Sequence, residues 1–453
     1  MVPRRPAARK MTESDETFTA WGIEPVPERL RVLGFLDLSL LWGNLGVSLL
    51  VLVAGTYLVP ALSLPQAFLA ILLGSLIGNA MLAVAGLIGA DARVPAMVLL
   101  RAPLGRRGSW GPTVLNGAQC VGWSIFELLI IATAAAALSD ELLGFRAQWL
   151  WTLVFGGVAL ALALLGPVDL VRKLVRRFAV WAVLASLVYL TYWGLDGAAL
   201  DALWDRPGEG GFSVLEGVDL VVSITVSWIP LAADYTRFSR DRRSAFWGTG
   251  LGYLTTSVWL WSLGAVLFFS RDLTDVTALP AAIAAGGLAA TLALLAVTVD
   301  EADEAFANVY SAAVTAQNVV PRAPQRALIV AVAALATLGA LTIDLLAYET
   351  FLLLLGSFFV PLFGVLLADW IVAGRHYREE DIFRGPVARP GMIAAWVAGF
   401  ALYQWLNPVG PSWWTSAVER LGPPDLGIGA TIPSFALALT LGAAVARLSR
   451  RLL

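Results

Sequence analysis

The chain has 453 residues, 58% of them hydrophobic and only 14% charged, with a net charge of −2. That balance, with a mean hydropathy of +0.75, excludes a soluble domain and identifies an integral membrane protein. One Cys, Cys120, and one His, His376, exclude an internal disulfide and a His-built metal site, and basic residues spread evenly over the loops leave no nucleic-acid patch.

The first thirty residues are polar and Pro-rich, without the short apolar core of a cleavable leader, so the first span is the expected targeting signal. Apolar stretches long enough to cross about 30 Å of hydrocarbon then recur. Twelve are read, at 33 to 58, 65 to 90, 111 to 138, 148 to 166, 177 to 195, 214 to 237, 245 to 269, 279 to 319, 326 to 343, 346 to 373, 391 to 407 and 429 to 447. The eighth is too long for one straight crossing and is expected to contain a turn outside the membrane. Basic residues precede the first span and return in every second connection, as Arg106 and Arg107, Arg172 to Arg177, Arg240 to Arg243, Arg322 and Arg326, Arg375 to Arg384, and Arg447 to Arg451. Short basic loops stay cytoplasmic, so both termini are placed inside and the cell membrane is the expected location.

Every backbone group in lipid must be satisfied internally, so helix-breaking residues at mid-depth mark an interrupted helix lining a cavity. The first span carries Trp42-Gly43-Asn44-Leu45-Gly46-Val47-Ser48, and the sixth carries Ser223 to Ser227 followed by Trp228-Ile229-Pro230. These spans are five apart, as expected of two inverted five-helix repeats. The resulting division is a tail over 1–32, repeats over 33–195 and 214–373, and a loop with two helices over 374–453.

Chemistry concentrates on two spans. In the third, Gln119, Trp123 and Glu127 recur at four-residue steps and share a helical face. An indole beside a carboxylate suits a flat heterocycle, which can stack on the ring while Glu127 accepts from its N–H groups. In the eighth, Asp300, Glu301, Asp303 and Glu304 interrupt an apolar run. Asp300, Asp303 or Glu304, Asn308 and Ser311 are read as one face fit for a sodium ion or a proton, with Glu301 pointing away into an aqueous vestibule. Asp234, at the end of span six, is read as a structural or gating partner of a nearby Arg. Trp413 and Trp414 read as interfacial anchors.

The stretch Ser227-Trp228-Ile229-Pro230-Leu231-Ala232-Ala233-Asp234-Tyr235-Thr236-Arg237-Phe238, with Gly122-Trp123 and the run from Tyr348-Glu349-Thr350-Phe351 through Gly356 to Trp370, resembles the nucleobase:cation symporter-1 family of purine and cytosine permeases, most nearly its cytosine and hydroxymethylpyrimidine members. The resemblance covers roughly Arg31 to Gly374. It implies an all-α fold of the LeuT type, a five-plus-five inverted repeat with two further C-terminal helices, in agreement with twelve transmembrane helices. It also implies that Trp123 stacks on substrate, that Glu127 contacts its polar edge, and that Asn44, Gly46 and Ser48 of span one and Asn308 of span eight lie at substrate or ion. A bound Na+ would then sit near Gly43, Gly46, Asp303 and Glu304. The chain departs from the family pattern in three places. Thr225 stands where an aromatic residue is common, leaving Trp228 as the candidate replacement. Glu127 stands in place of Gln, which favours a donor-rich or positively charged substrate. Acidic residues replace adjacent Ser/Thr in span eight, which leaves coupling to Na+ and to H+ equally open.

The combined reading is a symporter, working as a monomer in the bilayer, that imports a nucleobase or similar heterocycle and needs no cofactor beyond its coupling ion. A carrier of the same fold for an amino acid, guanidino compound or allantoin-like or hydantoin-like solute is the nearest rival. A membrane enzyme lacks its catalytic pair, and a channel fits a compact acidic cluster poorly.

Overall fold

The computed structural model describes residues 22–165, 180–211, 213–320, 322–422 and 426–451. The basic residues Arg4 to Lys10 and Arg172 to Arg177 lie outside these.

Helices α1 (Phe35–Asn44) and α2 (Leu49–Tyr57) form the first crossing, bent by 61° at the residues between them. Next come α3 (Leu64–Ala92), the short α4 (Ala96–Leu99) and α5 (Arg101–Leu104), then α6 (Trp110–Leu143), α7 (Gln148–Leu165), α8 (Val180–Leu195) and the short α9 (Leu200–Asp205). The sixth crossing is α10 (Val214–Ser227) with α11 (Ile229–Thr236), followed by α12 (Arg242–Ser270). The long eighth stretch resolves into a short α13 (Leu279–Ala284), a turn through Gly287 at φ 92°, and α14 (Leu288–Ala316). The remainder is α15 (Gln325–Ala340), α16 (Tyr348–Val372), the short α17 (Glu379–Phe383), α18 (Pro390–Leu406), α19 (Ser412–Glu419) and α20 (Thr431–Arg451). Taken in order, the long helices and the two interrupted pairs make twelve crossings. Six of them, or seven with the bent pair, satisfy length and apolarity on their own. Helix α14 is long enough, but it carries the four carboxylates.

Local sequence explains where these helices begin and end. Ser63 and Gln66 cap the start of α3 reciprocally, with Pro65 in its first turn. Ser213 and Glu216 do the same for α10. Outside the membrane-spanning part, Asp241 caps α12. The backbone N–H and hydroxyl of Ser244 hold its carboxyl below the usual range.

The two predicted breaks differ in kind. At the first, the chain leaves the helix completely, with Ser48 extended at φ −136°, ψ 139°. At the second, Trp228 stays in the αR region and Pro230 falls in the first turn of α11, where a missing N–H costs little. The sixth crossing is therefore interrupted without a sharp bend.

Without a hydrophobic drive between helices in lipid, close approach depends on small residues. Helices α1 and α2 lie against α12 in this way. A Cβ on Gly55 would sit 2.2 Å from the Trp261 carbonyl oxygen, and one on Gly264 would sit 2.0 Å from that of Leu52. Gly74, Gly78 and Gly89 bring α3 as tightly against Val221, Thr225 and Ala233. A second group forms around α6, α7, α14 and α15. Large apolar side chains such as Trp149, Trp181, Leu288 and Trp413 face outward, as lipid requires. Trp414 is tied back by a 2.9 Å bond from its Nε1 to Gln404.

At the basic end, Leu33 pairs with Ser239 in an isolated parallel bridge. The buried Asp91 gathers Arg242, His376 and Trp370.

Gly264→Ala forces two backbones apart and is expected to cost about 1–3 kcal/mol. Thermal unfolding in detergent should show a clear fall in Tm, whereas Gly157→Ala on α7, where a Cβ meets nothing within 4 Å, should be neutral or slightly stabilising.

Candidate functional site

A break in a membrane helix exposes backbone donors that need partners. Ser48 supplies one, its hydroxyl accepting from Leu50 N at 3.1 Å as the N-cap of α2. Glu301 of α14 supplies the other. Its Oε1 accepts from the Ser48 hydroxyl and its Oε2 from Leu49 N, both at 2.7 Å, and the residue is 0% exposed. The expectation that Glu301 points into an aqueous vestibule is therefore corrected. Positions 301, 304, 308, 311 and 315 follow three- and four-residue steps and form one stripe along α14, and that stripe faces the joint of the first crossing and α6.

Two turns beyond Glu301, Asn308 Nδ2 donates to Glu127 Oε1 at 2.7 Å and to the carbonyl oxygen of Glu304 at 3.4 Å. Below it, Asn116 donates to Thr315 at 2.7 Å, and Gln119 Nε2 donates to Asn116 Oδ1 and to the carbonyl oxygen of Ser227, both at 2.8 Å. Gln119 thus secures the second break. Its face of α6, predicted from spacing, is real, and Asn116 extends it.

Trp123, between these polar groups, lies 5.8 Å from the Tyr348 ring and 5.5 Å from the Phe351 ring, both edge-on. Gly122 makes room for this, since a Cβ there would lie 2.5 Å from Phe351. Tyr348 and Phe351 of α16 belong to the run that carries the family resemblance, but the sequence assigns them no place at the site. A Tyr and a Phe at three-residue spacing in an apolar span give no signal apart from core packing.

The predicted residues divide into two sets. Trp123, Glu127, Asn308, Ser48 and Glu304 are buried around the α14 stripe. Asp300 is buried on the same helix, and Asp303 shares its backbone but has a side chain outside the described ones. Asn44 ends α1 beside the break, where its carbonyl oxygen accepts from Val47 N at 2.9 Å. The others turn elsewhere. A Cβ on Gly46 would strike Thr256 at 2.3 Å, and one on Gly43 would meet the Gly252 carbonyl oxygen at 3.5 Å, so both glycines serve the seam with α12. Thr225 packs on Gly78 of α3. Trp228 donates to the Tyr253 hydroxyl at 3.1 Å and stands edge-on to Trp42 at 5.9 Å, within an aromatic cluster. Neither Thr225 nor Trp228 joins Trp123. Among the described residues, no group of three or more His, Cys, Asp or Glu could hold a metal ion. The oxygens of Ser48, Glu301 and Glu304 remain as hard-cation ligands or proton acceptors.

Asp234 has Arg237 beside it, as expected, with Arg237 Nε donating to the Asp234 carbonyl oxygen at 3.2 Å. Its Oδ1 accepts from Ala96 N at 2.9 Å, and the fully buried Arg237 reaches the Gly22 carbonyl oxygen at 2.9 Å. This motif fastens the basic end, and Asp234 also meets Ser311 at the far part of the α14 stripe.

The sequence profile of a family described as permease for cytosine/purines, uracil, thiamine, allantoin matches residues 25–417. The cytosine permease of Escherichia coli is 26% identical over 402 residues, covering 85% of this chain and 89% of that protein. The hydantoin permease of Microbacterium maritypicum is 24% identical over 376 residues, covering 78% and 76%. Among solved structures, the inward-facing conformation of Mhp1 superposes with a TM-score of 0.76 at 19% identity, covering 98% of this chain and 95% of that one. Mhp1 in a closed conformation with bromovinylhydantoin bound, described as a nucleobase-cation-symport-1 family transporter, gives 0.74 at 21% identity, covering 94% and 95%. The fold is thus the LeuT-type inverted repeat, five helices and five inverted helices followed by two more.

Glu301→Leu strands the Ser48 hydroxyl and the Leu49 N–H in apolar surroundings, at about 1–3 kcal/mol for each unsatisfied group. Its Tm in detergent should fall well below that of Glu301→Gln, which keeps an acceptor in place; equal values would remove Glu301 from the joint.

Proposed function

Because the chain belongs to the family of permeases for cytosine/purines, uracil, thiamine and allantoin, the nucleobase:cation symporter-1 transporters, we propose that it imports a flat nitrogen heterocycle of the nucleobase kind together with Na+ or H+. The observation that carries this reading is the meeting of Trp123, Glu127 and Asn308 on two adjacent helices beside the broken first crossing. The indole offers a face for stacking, Glu127 accepts N–H groups, and the Asn308 amide presents both donor and acceptor. Such a set recognises a ring that carries both kinds of edge.

Ser48, Glu301 and Glu304, with Asp300 and Asp303 on the same helix, are the groups assigned to the coupling ion. Glu301 bridges α14 and the α1–α2 joint through Ser48 and Leu49, so neutralising it alters the contact between two helix groups and links ion to cargo. Alternating access then follows from one group rocking against the other around the site. The basic end, with both termini, is assigned to the cytoplasm from the distribution of Arg. The repeats are assigned to 33–195 and 214–373, and a single chain contains the whole site.

Stacking of a base on an aromatic side chain is worth about 1–3 kcal/mol, roughly 5- to 150-fold in affinity. In a thermal-shift screen of purified protein against pyrimidines, purines and hydantoins, at least one ligand should raise Tm. Trp123→Ala should weaken that ligand by a factor in this range while the apo protein stays folded. Undiminished affinity in the variant would take Trp123 out of the site. Uptake that ignores both Na+ and pH gradients would end the symport reading.

A further inference from the structure

The buried carboxyl groups at this site have no basic partner on the surrounding helices. Glu127 and Glu301 are each 0% exposed. No Arg, Lys or His occurs anywhere in Phe35–Tyr57, Trp110–Leu143, Val214–Thr236, Leu288–Ala316 or Tyr348–Val372, the segments that surround them. Buried carboxylates normally meet a cation or strong donors, and the two glutamates solve this differently. Glu301 is seated on the N-terminus of α2, with Ser48 Oγ and Leu49 N both donating at 2.7 Å, where the helix dipole and charge-assisted bonds favour the anion. Glu127 has one oxygen bonded to Asn308 at 2.7 Å, while its Oε2 meets no donor among the described residues. That open oxygen stands one helical turn from Trp123, whose ring is met by Tyr348 and Phe351, and aromatic faces attract cations.

We propose that this transporter selects its cargo by charge, taking a planar amidinium-like or guanidinium-like heterocycle on the open oxygen of Glu127 and rejecting anionic rings because Glu301 already occupies the helix N-terminus that would receive them. The inference rests on the heterocycle reading above and deepens it. A cationic ring supplies both the N–H donors that Glu127 Oε2 lacks and the positive charge that the surrounding segments lack. A resident anion on α2 serves as the counter-charge and repels a second anion.

The test is binding to the purified full-length protein, by thermal shift and by Trp fluorescence, each with and without Na+. Three probes of one ring size are compared: a cyclic guanidinium, the neutral cyclic urea of the same shape, and the cyclic urea carrying a carboxylate. The guanidinium should bind the wild type at least tenfold more tightly than the urea, and the carboxylate probe should not bind. Glu127→Gln should bring the guanidinium-to-urea ratio close to one, and Glu301→Gln should admit the carboxylate probe. A urea that binds the wild type as well as the guanidinium overturns the proposal and leaves the heterocycle reading standing, and this comparison needs no variant to fold. If none of the three probes nor any nucleobase binds the wild type, the heterocycle reading fails and the charge selection falls with it.

Discussion

The structure depends on a carboxylate seated in the gap of a broken helix. A crossing that bends by 61° at mid-depth exposes several backbone donors to an environment without water, each costing several kcal/mol if left alone. Ser48 and Glu301 together satisfy the start of α2. Glu301 comes from α14, more than two hundred residues away, so the break in the first crossing and the position of the eighth are not independent. The joint keeps its shape only while α14 presents that side chain. A change in the charge on Glu301 is therefore also a change in how firmly two distant helices hold each other.

Two kinds of packing meet at this point. Helices α1, α2, α3 and α12 approach through glycines, backbone against backbone, as at Gly55 and Gly264. Helices α6 and α14 are instead tied through side chains, by Asn116 with Thr315 and Glu127 with Asn308. Between the groups run the bonds of Glu301 to the first joint and of Gln119 to the second. Seams built on glycine are short and stiff, whereas a hydrogen bond through a long side chain tolerates rotation about several torsions. The contacts best able to yield thus lie between the groups, beside the residues proposed to recognise cargo.

Much of this was legible in the sequence, for physical reasons. Span number and the position of both breaks follow from hydropathy and from helix-breaking residues in lipid, where tertiary contacts rarely override composition. The face Gln119-Trp123-Glu127 was legible because helical period alone fixes it. On α14, the same logic applied to a different set of positions misled. Four carboxylates in five positions allow more than one face, and the steps 301, 304, 308, 311 and 315 become the clear choice only once a partner for Glu301 is known. The glycines and Trp228 show a second limit. Gly43, Gly46 and Trp228 sit at the breaks, but the neighbour each side chain or Cα faces is set by α12, through Gly252, Thr256 and Tyr253. That neighbour lies two hundred residues from the first break, and no local pattern encodes the rotation of one helix against another.

The family's most specific signature illustrates the same separation. Asp234 receives the amide of Ala96, Arg237 reaches the carbonyl of Gly22, and Phe238 receives the amide of Leu33. Each residue of the motif closes the basic end around chain segments that would otherwise leave backbone groups unsatisfied. A motif of this kind is constrained by geometry alone and identifies the fold whatever the cargo is. Glu127, proposed to recognise cargo, ties α6 to α14 with one oxygen through Asn308 and keeps the other open. Fold and proposed specificity thus rest on different residues, the signature at the basic end and the carboxylate at position 127.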